Sequence, residues 1–337
     1  MKHKHIFIVG GAGFLGYHTS LELVNRGAEV TALAMPGEVV DNSLSSRVNV
    51  VRANIDELSD EQLGELLAGH DALVYAAGPD DRVELAAGVK ASEFFGTQLV
   101  ARTERVLRIA KECGMQKVVV LGSYFSYVNN HGLCGVRQGE LEHHPYIKAR
   151  IEQTKRAFAL GGSNEPFAVA ILNVPYVFGT APGKEPIWKH VFVEQFASSP
   201  KIYYGKGGTT VISAKKIAVC VAQALELAEH GDELAIGSRN MKFTPIIEQL
   251  LKVANIEKPV GSLPNWLLTM SMKSQWKKAQ KVHLDSGLDI RYLNNDILKR
   301  DFFVDFAATD AKLQVNYPDD VDVAIQETGE RMRENHA

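Results

Sequence analysis

Through the first half of the chain, short unbroken apolar runs alternate with longer stretches in which apolar residues recur every three or four positions. Residues 6–9 (IFIV), 29–33 (EVTAL), 48–51 (VNVV), 72–76 (ALVYA), 117–121 (KVVVL) and 167–172 (FAVAIL) show little polar alternation, which is how strands covered on both faces read. Between them the spacing predicts helices over 15–26, 61–68, 92–113 and 146–160. In the third, Phe95, Leu99, Val106 and Ala110 fall on one face, as do Ile147, Ile151 and Phe158 in the fourth. Alternation of this kind predicts an α/β fold around a doubly wound parallel sheet with right-handed crossovers.

After about Gly179 the pattern becomes irregular. TAPGKEPIW reads as a loop, 217–229 and 246–254 as helices, and LPNW at 263–266 as a break. A smaller, less regular lobe threaded back onto the sheet is expected there. The chain shows no internal repeat and no low-complexity linker.

Composition narrows the class. With 45 % apolar and 23 % charged residues in 337, the chain has the balance of a soluble globular protein. A formal charge of −3 without a basic stripe speaks against a nucleic-acid partner. Cys113, Cys134 and Cys220 are far apart and lack CxxC spacing, which fits a reducing cytoplasm. The amino-terminal apolar run is too short for a signal segment and no stretch reaches spanning length, so no membrane partner is expected. There is no HExxH, no Cys/His cluster and no carboxylate set at metal spacing, so no metal is expected either.

Directly after the first run comes GGAGFLG. Gly10, Gly13 and Gly16 have the GxxGxxG spacing of a loop that turns tightly, admits a pyrophosphate and packs helix on strand. Phosphate would sit on the N–H groups that open the next helix, at Phe14 and Leu15. The second run ends ALAMPGE, so Ala34 and Met35 stand where an acid usually holds the adenosine ribose, and Glu38 is displaced past Pro36 and Gly37. Missing that carboxylate tilts NAD(P) binding slightly towards NADP, although no arginine replaces it. The expected division is a Rossmann-type dinucleotide-binding domain over 1–179, with 208–240 returning to it, and a mostly substrate-binding lobe over 180–337.

A proline-led helix, PYIKARIEQTK, places Tyr146 and Arg150 one turn apart. A fixed cation beside a phenol favours the phenolate, which would lower a pKa of about 10 towards one useful for proton transfer. Taken with the glycine loop, YAAG at 75–78 and the serine after the fifth run, this order resembles the extended short-chain dehydrogenase/reductase family, of the NAD-dependent epimerase/dehydratase type. RANID (52–56), NVPYVFG (173–179), VISAKKIA (211–218) and LQVNYP (313–318) are similar to further segments of that family.

The resemblance implies Ser123, Tyr146 and Arg150 as the catalytic set, Ser123 fitting its place better than Ser126. It implies cofactor contacts from the glycine loop with Phe14 and Leu15, from Asn54 and Ile55, from Ala76, Ala77 and Gly78, from Tyr146 and Arg150, and from Pro175 and Val177. Tyr124, Phe125, Tyr176 and Phe178 are candidates for the substrate side, with Tyr127, Trp188 and His190 nearby in sequence. His143 and His144 either reach the substrate or form a solvated loop. Arg150 stands where the family has lysine; Glu93, Asn173, Lys215 and Lys216 also depart from its pattern. The function expected is hydride transfer between nicotinamide and a carbonyl or secondary alcohol of a small organic substrate, with Tyr146 as acid/base. Two alternatives stay open: a nucleotide-sugar epimerase or dehydratase, and a non-catalytic dinucleotide-binding redox sensor. In that family the 92–113 and 146–160 helices often pair across a two-fold axis, so a homodimer is expected.

Overall fold

Each of the six apolar runs forms a strand of one parallel sheet. The computed structural model describes residues 2–162 and 166–334. In it β1 (His5–Val9), β2 (Glu29–Ala34), β3 (Asn49–Arg52), β4 (Ala72–Tyr75), β5 (Lys117–Ser123) and β6 (Ala168–Val174) lie side by side. β7 (Tyr176–Phe178), β8 (Ile202–Tyr203) and β9 (Gly208–Ser213) follow outside it, and β10 (Glu233–Ala235) returns to it beside β6. The order β10-β6-β5-β4-β1-β2-β3 reverses at β1/β4, which is the doubly wound arrangement.

Successive residues of one strand point to opposite faces, and here both faces are dry. Ile6 and Ile8 of β1 pack with Val119, Leu172, Ile217 and Val221 under the helices Phe14–Asn25 and Ala214–Leu227. Phe7 and Val9 point the other way, to Leu63, Val106, Leu107 and Ala157 of the helices Asp60–Leu67, Arg102–Glu112 and Pro145–Ala159. Two apolar covers explain why the runs show no polar alternation.

The predicted 92–113 helix starts at Ala91 and is divided by a wider, π-helical stretch over Gly96–Ala101. Its Phe95, Leu99, Val106 and Ala110 are all fully buried. β5 continues two residues beyond the predicted end, to Ser123, which carries that hydroxyl to the carboxyl edge of the sheet.

Beyond residue 174, β7, β9, β11 (Arg239–Lys242) and β13 (Asp301–Phe302) form a second sheet, while β8 pairs with β12 (Val260–Gly261). The LPNW break is real, but its proline opens a helix, Asn265–Lys281, that the sequence pattern does not announce. This part also grips the helix Pro145–Ala159 near its start: the Gly287 carbonyl accepts from the Tyr146 N–H at 2.9 Å.

Candidate active site

The glycine loop meets its geometric requirements. Gly10 sits at φ +78, where a side chain would be strained, and a Cβ on it would lie 3.1 Å from the Ala76 carbonyl oxygen. A Cβ on Gly16 would fall inside the van der Waals radius of the Gly10 carbonyl oxygen, so Gly16 serves helix–strand packing. The helix that follows has no side-chain cap at Gly13 and no acid in its first turn. Its free N–H groups and positive dipole end are therefore available to an anion. The residues present fit the pyrophosphate of a dinucleotide.

From this loop a cleft of about 500 Å³ runs along the carboxyl ends of the strands. Gly10, Gly13, Phe14 and Leu15 line one end and Ala76, Ala77 and Gly78 the middle. Ser123, Tyr146 and Arg150, with Pro175 and Val177, form the far wall. Gly16 lies behind the loop. Asn54 and Ile55 are outside the lining: Asn54 caps the short turn Ile55–Glu57 by accepting from the Asp56 N–H, and Ile55 is turned into the core.

Ser123 ends β5 and caps the helix Tyr124–His131, so cap and candidate catalyst are one residue. Arg150 is buried, and its Nε donates to the Tyr146 hydroxyl at 3.1 Å. Its Nη1 donates to the Leu121 carbonyl at 3.1 Å and to Gln153 Oε1 at 2.8 Å. Gln153 in turn donates to Thr103 at 2.7 Å. The guanidinium is thus fixed by the sheet and by its own helix.

That geometry corrects one expectation. Burial pushes the Tyr146 phenol above its ordinary value; Arg150 and Ser123 pull it down, and Asp81 and Asp80 push it up. The cation reduces the shift without reversing it, because desolvation of a buried phenolate outweighs one neighbouring charge.

Asp81 and Arg82 were not singled out in the sequence. The Arg82 guanidinium lies 4.9 Å from the Tyr176 ring centroid and 5.0 Å from that of Trp188, and its Nη1 is 3.0 Å from Asp81 and 3.5 Å from Asp80. All three charged residues line the cleft. Burial pushes the Asp81 carboxyl up to about 6, against the pull of Arg82. Their sequence signal is two acids and a base one proline after YAAG, with no periodicity to mark them.

The aromatic candidates divide. Tyr124, Phe125 and Tyr176 line the cleft, together with Trp188 and Ile187. Phe178 does not: it is fully buried and stacks behind Trp188 at 5.2 Å. Trp188, which lines the cleft, stands between Phe178 and the cavity. Tyr127 packs on His131, and His190 pairs with Glu84 and Glu194.

Glu38 also changes place. The Pro36–Gly37 turn folds it back, so that its carboxylate accepts from the Met35 N–H at 3.1 Å, pairs with Lys184 and lines the cleft at the end of β2. An acid therefore does stand in the cleft at the carboxyl end of β2, paired with a lysine.

His143, His144 and Asp296 form a cluster whose ligand-type atoms lie within 4.8 Å of one another. His144 is completely buried rather than on a solvated loop, and its Nδ1 accepts from the Asp289 N–H at 2.9 Å. A neutral imidazole that accepts at Nδ1 carries its proton on Nε2. His144 thus turns a proton, not a lone pair, towards Asp296, 3.3 Å away, and burial keeps it neutral by lowering its pKa. With His143 donating to the same carboxylate at 2.8 Å, the cluster fastens the start of the Tyr146 helix.

Several solved structures share this whole architecture. The chain is similar to the protein gox2253 (18 % identity, 98 % of each chain covered, TM-score 0.75). It is similar to a nucleoside-diphosphate-sugar epimerase from Pseudomonas aeruginosa (15 %, 99 % of this chain and 98 % of that one, 0.72). It is also similar to a UDP-glucose-4-epimerase from Stenotrophomonas maltophila, solved with NAD and formylated UDP-arabinopyranose (16 %, 99 % of each, 0.71). At such identities the likeness speaks for the fold. No curated protein matches the sequence. Residues 6–236 match the NAD dependent epimerase/dehydratase family. They span both the glycine loop and the Tyr146 helix, so the chain belongs to that family of enzymes.

Proposed function

We propose that this protein uses NAD to act on a secondary alcohol of a nucleotide sugar, as an epimerase or dehydratase in which the dinucleotide is recycled. One observation carries the reading: the Tyr146 hydroxyl, held by Arg150, lines the same cleft as an uncapped glycine-loop helix start. Family membership and the likeness to two sugar-nucleotide epimerases support this better than net carbonyl reduction.

Bound NAD would supply the hydride acceptor and a positive charge beside the phenol. Tyr146 exchanges a proton with the substrate hydroxyl, and Ser123 steadies the same oxygen. Arg150 orients the phenol and opposes the rise that burial causes. Glu38, folded back at the end of β2, supports NAD over NADP. On this reading the parallel sheet holds the dinucleotide and the part after 179 covers the substrate, with Tyr124, Phe125 and Tyr176 against it.

The test is to purify the protein, identify any copurifying dinucleotide by mass spectrometry, and follow UDP-hexoses by NMR alongside the NADH absorbance band. An altered sugar without net NADH change is expected, falling roughly 10²–10⁴-fold in rate with Tyr146→Phe. Stoichiometric NADH or NAD production would favour simple oxidoreduction. Tight NAD binding with no turnover would favour a sensor. Full activity in Tyr146→Phe would overturn the assignment.

A further inference from the structure

We propose that the Asn265–Lys281 helix is a docking surface for an anionic lipid bilayer. The inference is independent of the activity proposed above. The helix packs by one row only. Leu268 is buried and Met272, Trp276 and Ala279 are half-covered along the same side, while the Arg291 guanidinium lies 4.6 Å from the Trp276 ring. The opposite side is unusually apolar at one end: Trp266 is 63 % and Met270 60 % exposed, with Leu267 beside them. Val282 and Leu284 continue the exposed apolar surface past the helix end.

Its charge is one-sided. From Lys258 to Leu284 the chain contains no aspartate or glutamate, in a protein whose net charge is −3. Lys273, Lys277, Lys278 and Lys281 are all exposed on this helix. The helix dipole accounts for lysines in the last turn, but neither for Lys273 nor for a tryptophan and a methionine at the other end.

Exposed tryptophan and methionine beside lysines, with no acid among them, are the side chains that settle at a membrane interface: the apolar groups enter the headgroup boundary and the ammonium groups meet lipid phosphates. No helix among the described residues is long and apolar enough to cross a membrane. A helix lying on a surface needs no spanning length.

Position adds to this. Just after the helix, the His283 carbonyl accepts from the Gly88 N–H at 2.8 Å and the Asp285 carboxylate from the Ala91 N–H at 2.9 Å. The loop so gripped starts at Asp80–Arg82 in the cleft wall. The docking helix is thus tied through this loop to the cleft wall.

The test is co-sedimentation with vesicles of phosphatidylcholine alone and of equal parts phosphatidylcholine and phosphatidylglycerol. Three proteins are compared: wild type, Trp266→Ser/Met270→Ser, and Lys273→Glu/Lys277→Glu, with Lys273→Gln/Lys277→Gln in reserve. NAD binding without lipid identifies the folded variants. Wild type is expected to pellet only with the anionic vesicles, with a blue shift in tryptophan fluorescence. Charge reversal is expected to weaken binding at least about tenfold, and the apolar pair to lower the pelleted fraction by a similar factor. Absence of binding to anionic vesicles at low salt would overturn the proposal. So would equal binding by the variants, or a change in oligomeric mass without lipid, which would assign the face to a second copy of the chain.

Discussion

Arg150 donates from Nε to the Tyr146 hydroxyl at 3.1 Å, and the same guanidinium is tied to the Leu121 carbonyl and to Gln153. The cation beside the phenol is therefore a fixed part of the sheet edge, not a mobile side chain. Its planar fork makes this possible; a lysine would bring one ammonium group to three acceptors in different directions.

Arg150→Met should raise the Tyr146 pKa further, since the strongest downward pull on the phenol disappears. Turnover should fall by at least about tenfold, and the limb of the pH–rate profile that reports Tyr146 should move to higher pH. Arg150→Lys should restore the limb while lowering stability by about 1–3 kcal/mol, because buried acceptors lose their donors. Rate against pH and a denaturant melt check both.

Asp81 makes a pH prediction. Its folded pKa, about 6, lies above the unfolded value near 4, so the folded state holds the proton more tightly. Its contribution to stability is full below about pH 4 and is withdrawn as the pH rises to about 6. Asp81→Asn should gain on wild type by about 2–3 kcal/mol across that window. A constant difference between the two proteins from pH 4 to 7 would refute it.

On the proposed reading, Glu38→Gln should weaken NAD more than NADP, because the carboxylate that lines the cleft at the end of β2 would accept from the ribose hydroxyls of NAD and repel a 2′-phosphate. Titration calorimetry with both dinucleotides reads the ratio. An unchanged ratio would place the adenosine ribose elsewhere.

Two glycine substitutions should differ in sign. Gly16→Ala drives a methyl into the Gly10 carbonyl and should cost several kcal/mol and abolish NAD binding. Gly64→Ala meets only ordinary contacts with Ile109 and Cys113, inside the helix Asp60–Leu67, and should add about 0.5–1 kcal/mol. Thermal melts of the pair are sufficient.

Six of the seven strands of the parallel sheet, the glycine loop and the Tyr146–Arg150 pairing are legible in local sequence alone. Ile6 to Val9 must be covered on both faces, Gly10 must turn, and residues four apart on a helix must meet; each is a constraint between near neighbours in the chain. What shares the cleft depends on long-range packing. Arg82 lies against both Tyr176 and Trp188, about a hundred residues away, Glu38 is carried back by a turn to meet Lys184, and Phe178 is sealed behind Trp188. Such packing also decides that burial outweighs Arg150 at the phenol. Desolvation is set by everything that packs around a group, and no local spacing encodes that sum.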